Sequence, residues 1–319
     1  MRTIKKVASH IFIDGFGGMT QGLFATLIIG TMIQQIGLLI GGSTGNVIYL
    51  LGKAAAALTS AGIGVGVAVK YGESPLVTVS AAVAAMVGGY AGKITGGTFF
   101  VDGNAVLAGP GEPLGAFIAA FAGITCGHLV SGKTKVDIIV TPVITIGAGS
   151  VVGLLVGPPI SQMMTGLGSI INWATEQRPF IMGIVVSVVM GMVLTLPISS
   201  AALGIILNLS GLAAGAATIG CCCNMVGFAV ASYRENKFGG LVAQGLGTSM
   251  LQVPNIMRHP LIWLPVIFSS AILGPVSTIL ANMQNNATGS GMGSAGLVGQ
   301  ITTYQTMIAY DDPKLVIIK

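Results

Sequence analysis

The sequence predicts an all-α integral membrane protein built from two inverted repeats of about five transmembrane elements each, with re-entrant hairpins. Two observations lead to this fold class. Hydrophobic residues make up 53% of the 319 residues and charged residues only 7%, with a mean hydropathy of +0.88, whereas soluble domains carry about 25% charged residues. The chain also repeats itself, because residues 22–30 (GLFATLIIG) return 161 positions later as residues 183–191 (GIVVSVVMG).

Further matches keep the same order along the chain. At the offset of 161, residues 65–69 align with 226–230, and after four extra residues the offset of 165 aligns 107–110 with 272–275. Two related apolar halves in one membrane chain are typical of transporters that move one repeat against the other. An odd number of spans per half would invert the second half. Lys70, Lys133 and Lys135 support this orientation, whereas Arg234 and Lys237 oppose it, so a parallel repeat stays open.

The first half begins with residues 1–17, which carry three basic residues and are expected to form an interfacial segment. Residues 18–40 contain no charged residue and would extend about 34 Å as a helix, enough to cross a bilayer. The other spans predicted for the first repeat, residues 18–157, are 47–69, 76–95, 113–130 and 136–156. Residues 158–178 are expected to form an amphipathic linker.

The second repeat is expected at residues 179–319. Its predicted apolar spans are 180–196, 201–231, broken by Gly211, Gly215 and Gly220, and 261–283. Segments 239–253 and 285–304 are too short or too polar to span alone. Polar irregular backbone at membrane depth must line a cavity or be wrapped in protein, so these segments predict re-entrant hairpins or broken helices, with 98–113 as their first-half counterpart. The last element, at 310–319, is expected to be shortened.

Glu112 is the first candidate for substrate binding. It lies in the segment 102–113 (DGNAVLAGPGEP), where glycines and prolines prevent a continuous helix. Interrupted backbone leaves polar groups for a ligand, and the start of a new helix favours a negative charge on Glu112. Asp102 and Asn104, in the same segment, complete this group. The alternative is a surface loop in which Glu112 only precedes the next helix.

Amide side chains in apolar surroundings form a second group of candidates. Gln252 and Asn255 flank Pro254 at a predicted break, and Asn208 and Asn224 lie in the long apolar stretch of the second half. Each amide needs a polar partner at membrane depth, either a hydroxylated ligand or a neighbouring helix. Helix-to-helix hydrogen bonding is the simpler interpretation for about half of these amides.

Several function classes are not supported by the sequence. The net charge of +5 lies in short loops, without the basic, aromatic-rich surface of a nucleic-acid-binding protein. The three histidines lack metal-ligand neighbours, and the consecutive cysteines 221–223 fit core packing, so neither a metal site nor a cofactor is predicted. The letters of residues 291–296 match a dinucleotide fingerprint but lack its preceding strand and following acid. The sequence contains no catalytic set for soluble chemistry.

Short motifs resemble those of the membrane permease component, enzyme IIC, of bacterial sugar phosphotransferase systems. They are GPGEP at 109–113, VGPP at 156–159 and TLPISSA at 195–201. More narrowly, the chain is similar to the stand-alone, perfringolysin-regulator-like subgroup. The resemblance implies a homodimeric carrier in the bacterial cytoplasmic membrane that binds one sugar per protomer beside re-entrant hairpins, with the family's carboxylate at Glu112. The family's sugar-binding histidine has no matching position, and partner phosphocarrier subunits would have to supply the phosphoryl group.

Three functions therefore remain open. The first is a phosphotransferase-type permease that moves a small polar solute, with a sugar as the leading candidate, by alternating access. The second is an ion-coupled carrier or channel for a small anion or polar metabolite, with Asp102 and Glu112 as its deep acidic residues. The third is a membrane regulator of gene expression acting through a partner, although the polar stretches are too short for a sizeable cytoplasmic domain.

Overall fold

The computed structural model describes residues 14–107, 109–175, 177–207 and 209–309. The predicted interfacial segment up to residue 13, the candidate ligand Asn208 and the predicted last element at 310–319 lie outside this part of the chain. Contacts group the chain into two compact units, Met1–Met163 and Met164–Lys319. The boundary between the units falls inside one long helix, Asp137–Thr175.

The first unit is helical apart from one short β-hairpin. Its elements in chain order are α1 (Phe16–Leu23), a π-helical turn (Phe24–Ile28), α2 (Ile29–Ile40), α3 (Gly42–Ala57), α4 (Thr59–Lys70), α5 (Pro75–Gly89), α6 (Ala91–Thr95), β1 (Phe100–Val101), β2 (Asn104–Ala105), α7 (Pro113–Val130) and α8 (Asp137–Thr175). The two strands pair antiparallel, with Val101 opposite Asn104.

Small residues allow the helices of the first unit to pack with their backbones in contact. A Cβ atom added to Gly18 would lie 2.8 Å from the Cα atom of Val67, and one added to Gly22 would lie 2.7 Å from the amide nitrogen of Ile63. α1 therefore packs on α4 without room for a side chain. Such close approach strengthens van der Waals contact between helices, which lipid cannot supply as a hydrophobic driving force.

The second unit also consists of helices, several of them interrupted. After the end of α8 follow α9 (Pro179–Thr195), α10 (Ser200–Ile206), α11 (Gly211–Ala231), α12 (Tyr233–Val242), a π-helical turn (Ala243–Gly247), a 3₁₀ turn (Ser249–Gln252), α13 (Val253–Arg258), a 3₁₀ turn (Pro260–Trp263), α14 (Leu264–Pro275), a π-helical turn (Val276–Leu280), α15 (Ala287–Ser290), a 3₁₀ turn (Ala295–Leu297) and α16 (Val298–Met307). α9, α11 and α14 pack on one another and form the centre of this unit.

Five helical stretches of the described residues are long and apolar enough to cross a membrane, and a sixth results if a pair of helices bent by 53°, α3 and α4, forms one span. The five stretches are Phe16–Ile40, Pro113–Val130, Asp137–Ile160, Gly211–Ala231 and Pro260–Leu280. Two shorter apolar helices, α5 and α9, accompany them. The prediction of an all-α membrane protein is confirmed, whereas the inverted repeat stays a prediction.

Three elements differ from the sequence-based expectation. The segment expected as a linker continues the helix α8 through Pro158 to Thr175. Gly215 and Gly220, expected to break a span, lie inside α11, where they give the backbone at Met283 and Ser187 room for close approach. The first-half segment expected to be re-entrant contains instead the exposed hairpin β1–β2.

Candidate functional site

Three interruptions of helices meet at one place in the first unit. The first separates α3 from α4 at Leu58, and the second separates α5 from α6 at Tyr90. The third is the loop Gly109–Glu112 before α7, in which Gly109 and Gly111 adopt φ angles of +83° and +76°, a region that suits glycine. We call residues 57–60, 89–90 and 109–112 the junction.

Hydrogen bonds between side chains and backbone hold the junction together. The Ser60 hydroxyl donates to the Pro110 carbonyl at 3.0 Å. The Tyr90 hydroxyl donates to the carbonyl oxygens of Ala57, at 3.3 Å, and Gly109. Ser60 and Tyr90 are 0% and 1% exposed, so these bonds are shielded from water. Carbonyl groups that the interrupted helices and the loop cannot pair internally are thus satisfied by side chains of neighbouring helices.

Glu112 lies at the inner end of this loop. Its amide nitrogen donates to the Gly89 carbonyl at 2.7 Å, which joins the loop to the end of α5. Glu112 is half-buried, its Oε1 atom is shielded from solvent, and Pro113 begins α7 directly after it. The carboxylate therefore lies at the positive end of the α7 dipole, where a negative charge is stabilised. A carboxylate in such a position accepts hydrogen bonds from hydroxyl groups.

The depth of the junction follows from helix packing. Gly62, two residues after Ser60, packs against Thr26, with an added Cβ atom 2.6 Å from the Thr26 Cγ2 atom. Thr26 lies near the middle of the 25-residue stretch Phe16–Ile40, which extends about 37 Å at 1.5 Å per residue. Because the apolar interior of a bilayer is about 30 Å thick, the junction lies within membrane depth.

Asp102 and Asn104 lie on the β1–β2 hairpin, apart from the buried bonds of the junction. Both side chains are exposed, and Asp102 and Gly103 have φ angles of +51° and +76°, as a two-residue type I′ turn requires. The Asn104 Nδ2 atom donates to the Asp102 carbonyl at 3.3 Å. These features support a role in forming the turn, and their predicted role in substrate binding stays a prediction.

Gln252 and Asn255 form a chain of hydrogen bonds in the second unit. Asn255 donates to the Oε1 atom of Gln252 at 2.9 Å, Gln252 donates to Gln244 at 2.8 Å, and Gln244 donates to Ser232 at 2.8 Å. Gln252 and Gln244 are buried and Asn255 is exposed. This amide chain, defined as these four residues, therefore leads from the surface of the unit into its interior.

Asn224 lies in a different network and is 0% exposed. Its Nδ2 atom donates to the Gly220 carbonyl at 3.1 Å and to the Ser270 hydroxyl at 3.2 Å. Its Oδ1 atom accepts from the Thr195 hydroxyl at 3.2 Å and from the Trp263 indole at 3.1 Å. Two donors and two acceptor positions are all that an amide offers, so these contacts support a packing role for Asn224.

The most deeply buried irregular segment is the glycine-serine loop, residues 285–299. Residues 289–295 are all buried, and side chains of α10 and α11 bind its carbonyl groups: Ser200 donates to Gly291 at 2.6 Å and Thr218 to Gly289 at 3.4 Å. Asn285 donates to Thr218 at 2.7 Å. The sequence predicted this segment as re-entrant but did not identify these partner residues, whose only signal was a hydroxyl group on an apolar helix.

The end of the first unit opposite the junction carries polar turns. His128, in the last turn of α7, forms an ion pair with Glu73 at 3.0 Å between Nδ1 and Oε1. Burial, together with the nearby charge of Asp14, raises the pKa of Tyr71 to about 12. His128 is 71% exposed, in agreement with its expected position at the end of a span rather than in a ligand site.

These features define a multi-pass α-helical membrane protein in which polar backbone interruptions lie inside apolar units. A family model described as Phosphotransferase system, EIIC matches residues 13–318, which is nearly the whole chain. The protein therefore belongs to this family, whose members are membrane components of sugar transport, and the family resemblance of the sequence is confirmed. A search of curated proteins finds no significant match.

Proposed function

We propose that this protein is a permease of the bacterial cytoplasmic membrane that carries a sugar by alternating access, with the junction at Glu112 as its binding site in the first unit. The observation that carries the proposal is a carboxylate at a helix start within membrane depth, in a chain whose family membership covers residues 13–318. Charged groups at this depth are costly and are generally retained for function.

The chemistry of the junction supports a hydroxylated ligand. Carboxylate and carbonyl oxygens accept hydrogen bonds, whereas each hydroxyl group of a sugar can donate one. In the second unit, the amide chain ends in the exposed Asn255 and contains both donors and acceptors. Gln252 and Asn255 are therefore the ligands that we propose there, with a secondary place for Asp102 and Asn104.

The proposal is tested by uptake of radiolabelled sugars and polyols into vesicles that contain the purified protein. A thermal-shift screen of the same compounds selects the probe, since a ligand that binds only the folded state raises its unfolding temperature. We expect saturable uptake that Glu112→Gln reduces at least tenfold. The matched control is Glu235→Gln, the same change at an exposed position of α12, which should transport normally.

The same vesicles distinguish the other functions. Uptake that requires phosphoenolpyruvate and soluble phosphocarrier subunits identifies a complete phosphotransferase system. Uptake driven by a proton or sodium gradient alone identifies an ion-coupled carrier. Saturable uptake unaffected by Glu112→Gln would remove the junction from the binding site, and a protein that transports none of the compounds would favour a regulatory role. The homodimer implied by the resemblance is tested by crosslinking in the same membranes.

A further inference from the structure

We propose that Ser60 and Tyr90 are positioning residues that hold Glu112 in place by binding the loop before it. The proposal rests on the proposed function, because it gives Glu112 its geometry as a ligand. Neither residue needs to touch the sugar. Each instead donates a hydrogen bond to a backbone carbonyl of the loop, Ser60 to Pro110 and Tyr90 to Gly109.

The loop itself has little other support. Gly109 and Gly111 both occupy the left-handed region, and short glycine-rich backbone has high conformational freedom. A Cβ atom on Gly111 would lie 3.1 Å from the Gly89 carbonyl oxygen, so the loop passes directly over the end of α5. Two side-chain hydrogen bonds and the bond from the Glu112 amide to Gly89 therefore decide where the carboxylate lies.

The same two residues connect the loop to the bend between α3 and α4. Tyr90 also donates to Ala57, the last residue of α3, while Ser60 belongs to the first turn of α4. The loop is thus bound to both sides of a 53° bend. A change in that bend would pull on the loop through these bonds, so the positions of Glu112 and of the two helices are coupled.

The test measures the position of residue 112 directly and needs no sugar. Glu112→Cys introduces a thiol, and its labelling rate with N-ethylmaleimide is followed by peptide mass spectrometry, which separates it from the native cysteines. Adding Ser60→Ala or Tyr90→Phe should raise that rate about fivefold, the change in an open-to-closed equilibrium expected when one hydrogen bond of about 1 kcal/mol is lost. Tyr90→Phe keeps the ring and its packing against Phe99.

The control is Ser187→Ala in the second unit, which removes another fully buried serine that donates to a backbone carbonyl, that of Ser270 at 2.7 Å. This variant should lose comparable stability and leave the labelling rate unchanged. An unchanged rate in Ser60→Ala or in Tyr90→Phe would overturn the role of that residue, and an equal rise in the control would overturn both. Failure of sugar uptake by the wild-type protein would contradict the proposed function but not this result.

Discussion

Replacing Asn224 by alanine separates a packing role from a ligand role. Asn224 makes four hydrogen bonds to Gly220, Ser270, Thr195 and Trp263 while fully buried. Polar contacts inside membrane proteins contribute on average about 0.6 kcal/mol each, so four of them amount to about 2.4 kcal/mol. The Trp263 indole loses this acceptor, which adds up to about 1 kcal/mol. We expect a loss of about 2 to 3 kcal/mol in the free energy of unfolding.

Intrinsic fluorescence during thermal unfolding in detergent reports this loss, because Trp263 itself bonds to Asn224. At roughly 2–4 °C per kcal/mol, the midpoint should fall by about 4 to 10 °C. The control is Asn104→Ala, the same change on the exposed hairpin, where surface substitutions stay within about 0.5 kcal/mol. A wild-type midpoint in Asn224→Ala, together with lost sugar uptake, would refute the packing role and restore Asn224 as a ligand.

Two further predictions concern the first unit. Because the pKa of Tyr71 is raised to about 12, its neutral form stabilises the folded state fully below pH 10, the unfolded value, and this stabilisation is lost as the pH rises to 12; unfolding temperatures should fall less between pH 9 and 11.5 in Tyr71→Phe, and equal falls would contradict the shift. Gly22→Ala should cost about 1–3 kcal/mol of stability, because its Cβ atom would lie 2.7 Å from the backbone nitrogen of Ile63, whereas Gly147→Ala, with nothing within 4 Å, should be neutral in the same melting experiment.

The helices of the first unit were predictable where the chain itself marks their ends. α7 runs from Pro113 to Val130, as expected, because proline is favoured in the first turn of a helix and Gly132 follows its end with a φ angle of +72°. The bend at Leu58 was not predictable. Residues 47–69 are apolar without a proline, and the carbonyl that the bend exposes at Ala57 is bound by Tyr90, 33 positions later.

The candidate site divides in the same way. Residue types in an apolar context indicated which amides need partners, and that rule correctly marked Gln252 and Asn224 as hydrogen-bonded groups. It could not choose between a ligand and a neighbouring helix, because both satisfy an amide equally well. The choice depends on contacts between residues distant in sequence, such as Asn224 with Trp263, and no local pattern encodes those contacts.

The two units satisfy their interrupted backbone by different means, and this difference has a consequence for function. In the second unit, hydroxyl groups from α10 and α11 bind the carbonyls of a loop whose residues 289–295 are all buried, so displacing that loop would expose several polar groups at once. In the junction, the loop bears half-exposed backbone at Gly109 and Pro110 and the half-buried Glu112. Polar groups that retain access exchange partners at lower cost than fully buried ones. The junction is therefore the place where a hydroxylated solute can replace existing contacts, and the glycine-serine loop is better suited to fixing the structure around it.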